Sequence, residues 1–268
     1  MTAVMRVCVL GLGEAGSLIA SDLAMHPEVE VHGYDPAEVP TPAGVRRHDH
    51  PHAAVVGADV VLGITAAADA TTALAQALDA IPRGAVYADL ATASAGLQRS
   101  LAATAAEAGL GFTDVALMSP VHGKGLRTPA LASGPSARAF IATMGPLGMP
   151  LEHAGDEPGM AATRKLLRSV VVKGLTALVV ESMQAAEAAG LAGETWDNIT
   201  GQLAAADEGF IHGLVTGTGR HAARRVHEME AAAELLAELG VEPIMTKATA
   251  ARLRSVAAGP SSVPSLPG

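Results

Sequence analysis

The sequence predicts an α/β N-terminal domain with a mostly parallel sheet, followed by an all-α C-terminal domain that opens on one long interdomain helix. Three observations predict it. Short apolar runs alternate with Ala-rich helical segments from residue 6 to residue 118, an order that implies parallel pairing with right-handed crossovers. Beyond Pro158 the strand pattern stops and only helical periodicity remains. Hydrophobic residues make up 49% of the chain but aromatics only 2%, so the core is built from Ala, Val, Leu, Ile and Met, a mix that suits close helix packing.

Along the chain, Arg6-Val-Cys-Val-Leu10 reads as a strand, Gly11-Leu-Gly-Glu-Ala-Gly16 as a turn, and Ser17 to Leu23 as a helix. Val29 to Tyr34 is a second strand that ends in the carboxylate of Asp35. Further strands are expected at 58–65, 85–90 and 111–118, with helices at 71–81 and 95–108. A Gly/Pro-rich loop, Ser119 to Pro129, follows, and the first domain finishes near Gly155. A run from Met160 to about Ala189 is long for a globular helix and apolar around most of its middle, which asks for packing partners on several sides. Helices at 194–206, 221–239 and 245–257 complete the second domain. The expected boundaries are 1–156, 157–258 and a disordered tail at 259–268 rich in turn formers.

The glycine turn between a strand and a helix, with an acid about twenty residues on, is a dinucleotide-binding opening of the Rossmann type. Gly11 permits the tight turn, Gly13 lets backbone approach a pyrophosphate, and Gly16 lets the helix pack close to the sheet. The amides of Leu12, Glu14 and Ala15 complete that turn and face the phosphates. Ligands of such a sheet sit at the carboxyl ends of its strands, so Thr65, Ala66 and Thr92 join the candidate cofactor site. Asp35 would accept hydrogen bonds from the adenosine ribose, whereas a 2′-phosphate there would cost up to ~4 kcal/mol at about 4 Å and an effective dielectric of 20. NAD is therefore favoured, and NADP requires Arg46 or Arg47 to fold over the phosphate. An exposed strand edge is the preferred reading of both arginines.

Lys165 and Ser169 are four residues apart on the long helix and project from one face. A lysine base near neutrality needs its pKa lowered by roughly two to three units from about 10.4. Arg164 and Arg168 push that way. His122 lies in a glycine-flanked loop after a strand end and is a candidate ligand contact. His48-Asp-His-Pro-His52 alternates imidazoles but fits a solvated connecting loop, so no metal site is expected.

A formal charge of −9 with interspersed signs leaves no basic stripe for nucleic acid. Cys8, the single cysteine, is expected in the core of the first strand and is compatible with a reducing compartment. No signal peptide is read at the N-terminus. Lys173 interrupts the best apolar run, Val170 to Val180, so no membrane span is expected and the protein reads as cytoplasmic.

These pieces together resemble the β-hydroxyacid dehydrogenase family within the 6-phosphogluconate dehydrogenase superfamily. Four signatures occur in order: GLGEAG at 11–16, Asp89-Leu-Ala-Thr92, Met118-Ser-Pro-Val-His-Gly123, and Gly159 with Lys165 on the long helix. The resemblance implies hydride transfer between a nicotinamide and a small β-hydroxy acid, with Lys165 as the acid/base. It also implies that Ser119, His122, Gly123, Lys124 and Arg168 line the substrate, with His227 near the cleft. Three departures stand out. The usual Pro-Val-Ser-Gly-Gly is Pro120-Val-His-Gly-Lys124, the usual Asn is Ser169, and the usual Lys-Asp pair is His227-Glu228. The alternatives are an imine reductase of the same architecture and a nucleotide-binding sensor without turnover. The apolar helical half predicts self-association, most simply as a homodimer.

Overall fold

A computed structural model of the chain describes residues 4–259 and residue 266. Apart from Gly259 and Leu266, the expected tail lies outside the described residues. The contacts divide the chain into two units, Met1–Arg168 and Ser169–Gly268.

The first unit is built on one eight-stranded sheet: β1 (Met5–Leu10), β2 (Val29–Tyr34), β3 (Val45–Arg47), β4 (Val60–Gly63), β5 (Val86–Asp89), β6 (Gly111–Leu117), β7 (Ala130–Ser133) and β8 (Leu151–Gly155). The spatial order is β3-β2-β1-β4-β5-β6-β7-β8, and only the β6–β7 pair is antiparallel. The mostly parallel sheet is therefore as expected. The order reverses between β1 and β4, which creates the crevice where sheets of this kind bind ligands.

Helices α1 (Glu14–Leu23), α2 (Pro51–Val55), α3 (Ala70–Ala77), α4 (Ala95–Glu107) and α5 (Ala137–Met144) cover the sheet. Strand alternation explains the two cores. Val7 and Val9 of β1 pack with Ile19 and Leu23 of α1, while Cys8 and Leu10 pack with Leu74 of α3 and Leu101 of α4. Cys8 is fully buried, and burial pushes its thiol far up from its usual range, so it behaves as a small apolar residue. The short β7 and β8, and α5 between them, are not anticipated by the sequence reading, because four or five residues of mixed polarity carry too little periodicity.

The long helix α6 (Met160–Ala188) matches the expected run, and the division between the units falls inside it. The second unit continues with α7 (Ala192–Ala204), α8 (Glu208–Glu238) and α9 (Ile244–Ala258). One expectation is corrected here, since α8 starts at Glu208 rather than His221. Gly209, Gly213 and Gly217 weaken the helical signal over that stretch, but the carboxylate of Asp207 caps it by accepting from the amide of Phe210 at 2.7 Å. Glu181 of α6 is a second interior cap. Its carboxylate accepts from the amides of Met245 and Thr246 at 2.7 and 2.8 Å and from the Thr246 hydroxyl at 2.7 Å, which fixes the start of α9. No helix among the described residues is long and apolar enough to cross a membrane.

Candidate functional site

The glycine turn leaves the carboxyl end of β1 and is shaped by two contacts that tolerate no side chain. Gly11 has φ of 101°, and a Cβ there would stand 2.2 Å from the carbonyl oxygen of Ile64. A Cβ on Gly16 would stand 1.8 Å from the carbonyl oxygen of Gly11. Gly13 is different, because nothing lies within 4 Å of where its Cβ would be. That open face is what backbone needs to accept a pyrophosphate. Gly13 also precedes α1 in extended conformation, and no side chain among the described residues caps the amides that begin with Glu14 and Ala15. A helix start left in this way suits an anion.

Leu12 is buried, and its amide donates to Asp35 Oδ2 at 2.7 Å, so it orients that carboxylate and, against expectation, does not face the phosphates. Asp35 Oδ1 accepts from the amide of Ala37 at 2.8 Å. The carboxylate is thus aimed by backbone on both sides and stays at the mouth of a cavity of about 430 Å³, lined also by Gly11, Gly13, Thr65 and Ala66. Tyr34, Pro36, Asp69 and Gln76 line it too, and the sequence reading missed them. Asp69 immediately precedes α3 and Gln76 lies in its last turn, and α3 follows the strand end next to the glycine turn, which was the available signal. Arg47 is occupied elsewhere: its guanidinium donates to the carbonyls of Asp35 at 3.1 Å and Ala37 at 2.6 Å, and to that of Val39. Arg46 is exposed and sits 3.8 Å from Glu30. Both lie on the edge strand β3, as preferred.

At the carboxyl end of β5, Thr92 meets the long helix. Lys165 Nζ donates to Thr92 Oγ1 at 2.6 Å. One turn further on, the Arg168 guanidinium donates to the carbonyl of Met118, and in the loop after β6 Lys124 Nζ donates to Ser119 Oγ at 3.0 Å. Lys165, Thr92, Arg168, Ser119 and Lys124 therefore belong to one unit, with their contacts at strand ends. The loop itself is tied to α1, since Asp22 Oδ2 accepts from the amide of Leu126 at 2.8 Å. His122 and Gly123 are exposed at its tip, Gly123 with φ of 73°. The amide of Lys124 donates to the carbonyl of Val121 at 2.9 Å, so the turn consumes that donor and leaves the Lys124 side chain as the group able to meet a ligand. Ser169 and His227 belong to the second unit, where His227 Nδ1 lies 3.3 Å from Glu230 Oε2 on α8.

Beneath Thr92 lies a buried acid. Asp89 is fully buried, and its Oδ2 accepts from Gln98 Nε2 at 2.6 Å while Oδ1 has no partner among the described residues. Burial pushes its carboxyl up to about 7, with the neighbouring Asp114 charge adding to the rise and the Gln98 hydrogen bond opposing it. His48 is drawn into a pair: its Nε2 lies 2.9 Å from Nδ1 of the buried His32, with the rings stacked.

Residues 6–128 match the NAD-binding domain of 6-phosphogluconate dehydrogenase, and residues 186–256 match a domain of unknown function, DUF1932. A curated relative, an uncharacterized 28.5 kDa protein of Methanothermus fervidus, is 27% identical over 138 residues, 52% of this chain. That match spans 53% of the relative's own length. A conserved hypothetical protein from Sinorhizobium meliloti 1021 is 27% identical, with a TM-score of 0.63 over 98% of this chain and 92% of that one. A conserved protein described as structurally similar to 3-hydroxyacid dehydrogenases is 26% identical, with a TM-score of 0.58 over 97% and 100%. The imine reductase of Myxococcus stipitatus, solved with NADP+, shares the fold at 17% identity, with a TM-score of 0.76 over 95% of each chain. The chain thus combines a segment, 6–128, that matches the NAD-binding domain of 6-phosphogluconate dehydrogenase with a segment, 186–256, that matches DUF1932, in a fold shared with an imine reductase and with a protein described as structurally similar to 3-hydroxyacid dehydrogenases.

Proposed function

We propose that this chain is an NAD-dependent cytoplasmic oxidoreductase that interconverts a small β-hydroxy acid and its keto form, with Lys165 as the proton donor and acceptor. The observation that carries this reading is the 2.6 Å hydrogen bond from Lys165 Nζ to Thr92 Oγ1, at the same end of the sheet as the glycine turn. When bound, the nicotinamide supplies or takes up the hydride. Gly11 to Gly16 would hold the pyrophosphate, Asp35 the ribose hydroxyls, and Thr65 and Ala66 the adjoining face.

In the reducing direction, the Lys165 ammonium gives a proton to the carbonyl oxygen as negative charge develops there. In the oxidising direction, the amine recovers it. Thr92 Oγ1 holds the ammonium in place through both. Lys124, held by Ser119, and Arg168, held by the Met118 carbonyl, supply positive charge for the acid group, and His122 and Gly123 shape the loop tip beside them. In the second unit, Ser169 and His227 are proposed as further substrate contacts. An iminium accepts hydride without a further proton, so a lysine held in this way favours carbonyl over imine chemistry.

The engagement of Arg47 with backbone carbonyls supports NAD over NADP, because a 2′-phosphate would meet the Asp35 carboxylate while Arg47 is held by those carbonyls. A homodimer is supported by the second unit's apolar surface. Val170, Val171 and Trp196 are more than half exposed, and α6, α7 and α8 frame an apolar groove of about 530 Å³.

The test is nicotinamide absorbance with a panel of β-hydroxy acids, keto acids and cyclic imines, alongside binding of NADH and NADPH. Turnover of a hydroxy or keto acid and tighter NADH are expected. NADH binding with no turnover across the panel would favour a sensor, and turnover confined to imines would favour an imine reductase. Sedimentation as a monomer at micromolar concentration would contradict the dimer.

A further inference from the structure

Asp114 places a carboxylate in the middle of β6, 1% exposed, where Phe112, Val115 and Ala116 around it are apolar core. A buried charge persists only where donors compensate it, and here the donors come from the start of α6. Asp114 Oδ2 accepts from the amide of Gly159 at 3.1 Å, the amide of Ala162 at 3.0 Å and the hydroxyl of Ser133 at 3.0 Å. Ser133 Oγ in turn accepts from the amide of Ala161 at 2.9 Å. These are amides that an α-helix leaves unpaired at its N-terminus, so a strand residue does the capping that a local Ser or Asp would ordinarily do.

The junction is held from a second side. Gly159 has φ of 92°, and a Cβ there would stand 2.8 Å from the carbonyl oxygen of Ala95, so the chain enters α6 pressed against the start of α4. Lys165 follows Ala162 by three residues, less than one helical turn and about 4.5 Å of rise. Little slack separates the cap from the ammonium. Burial raises the Asp114 carboxyl above its usual range, and the Ala162 amide, the Ser133 hydroxyl, the Gly159 amide and the Lys165 charge oppose that rise without cancelling it.

We infer that Asp114 is a positioning residue for Lys165: its carboxylate fastens the first turn of α6 to the sheet and so fixes where the ammonium stands. The inference rests on the reading of Lys165 as the proton donor. Among the groups that act on the ammonium are Thr92 from the β5 loop, which accepts its hydrogen bond, and Asp114 from β6, with Asp89 of β5 beside Asp114; on α6 itself Arg164 is paired with Glu152 and Arg168 with the Met118 carbonyl. An ionised Asp114 strengthens the ammonium's hold on its proton, and so bears on the pH range over which Lys165 can give it.

The test compares wild type with Asp114→Asn, which keeps an acceptor for the cap but removes the charge. The readout is the NMR titration of carbon-13-labelled lysine, with Lys165 identified by Lys165→Arg. The Lys165 midpoint is expected to fall by about one pH unit, a tenfold change in acidity, while NADH affinity is unchanged. The pH profile of turnover should move by the same amount, with kcat lowered and KM unchanged. A wild-type midpoint in Asp114→Asn with only a lower Tm would reduce Asp114 to a structural cap and overturn the inference. Should Asp114→Asn not fold, the reciprocal variant decides. Lys165→Met should raise the Asp114 carboxyl titration, and no change there overturns the inference equally. Because the titrations need no substrate, a chain that shows the coupling but turns over nothing would count against the proposed function rather than the coupling.

Discussion

Lys165 Nζ and Thr92 Oγ1 are joined by a 2.6 Å hydrogen bond although they lie 73 residues apart. The threonine comes from the loop that ends β5, and the lysine from the sixth residue of α6. Their meeting converts a solvated helical lysine into a group held at the strand ends where a sheet of this order binds ligands.

Removing the acceptor should cost turnover without costing cofactor. A hydrogen bond to a charged group contributes about 1.5–3 kcal/mol, so Thr92→Val is expected to lower kcat about 10- to 100-fold. NADH affinity, measured by titration calorimetry, should stay at the wild-type value. A weakened NADH affinity with unchanged kcat would leave Thr92 with the cofactor role that the sequence suggests and no part in holding Lys165.

The three turn glycines should separate into two kinds. Gly16→Ala forces a methyl group against the Gly11 carbonyl and should lower Tm by several degrees, since overpacking typically costs about 1–3 kcal/mol. Gly13→Ala meets nothing in the protein and should leave Tm within about two degrees of wild type, because a glycine-to-alanine change at a helix cap costs only about 1 kcal/mol. It should nevertheless weaken NADH binding about tenfold or more, the loss of close backbone approach to the pyrophosphate. Equal thermal effects, or an unchanged NADH affinity in Gly13→Ala, would contradict the assignment of that open face.

How much of this was legible depends on how local the signal is. The glycine turn and Asp35 were readable because strand, turn, helix and acid fall within 30 consecutive residues, and the structure ties their ends together through Leu12 and Asp35. The core position of Cys8 followed from its being a small apolar residue inside the first strand. The Asp114 cap was not readable, since its amides come from 45 and 48 residues downstream and a lone acid in a strand carries no periodic signal. Asp22 and Leu126 are 104 residues apart for the same reason. The first turns of α8 were hidden by glycines that weaken the helical pattern, and their start is marked by the Asp207 cap.

Asp89 should leave a mark on stability against pH. Its carboxyl is pushed up to about 7 in the folded chain, above the unfolded value of about 3.9. The folded state therefore binds the proton that the unfolded state releases, so stability falls as pH rises from about 4 to 7 and levels off beyond. The loss is on the order of 4 kcal/mol, three pH units at about 1.4 kcal/mol each. Urea unfolding of Asp89→Asn should match wild type at pH 4 and exceed it at pH 8. Parallel curves for the two proteins would show that Asp89 is ionised when folded.

The measurement that bears most directly on the whole account is nicotinamide-linked turnover of Lys165→Ala, with NADH binding measured on the same preparation. A positioned general acid contributes about 10²- to 10⁴-fold. The account predicts a kcat at least about 100-fold below wild type with NADH bound as tightly as before. A variant that turns over its substrate at the wild-type rate would contradict it.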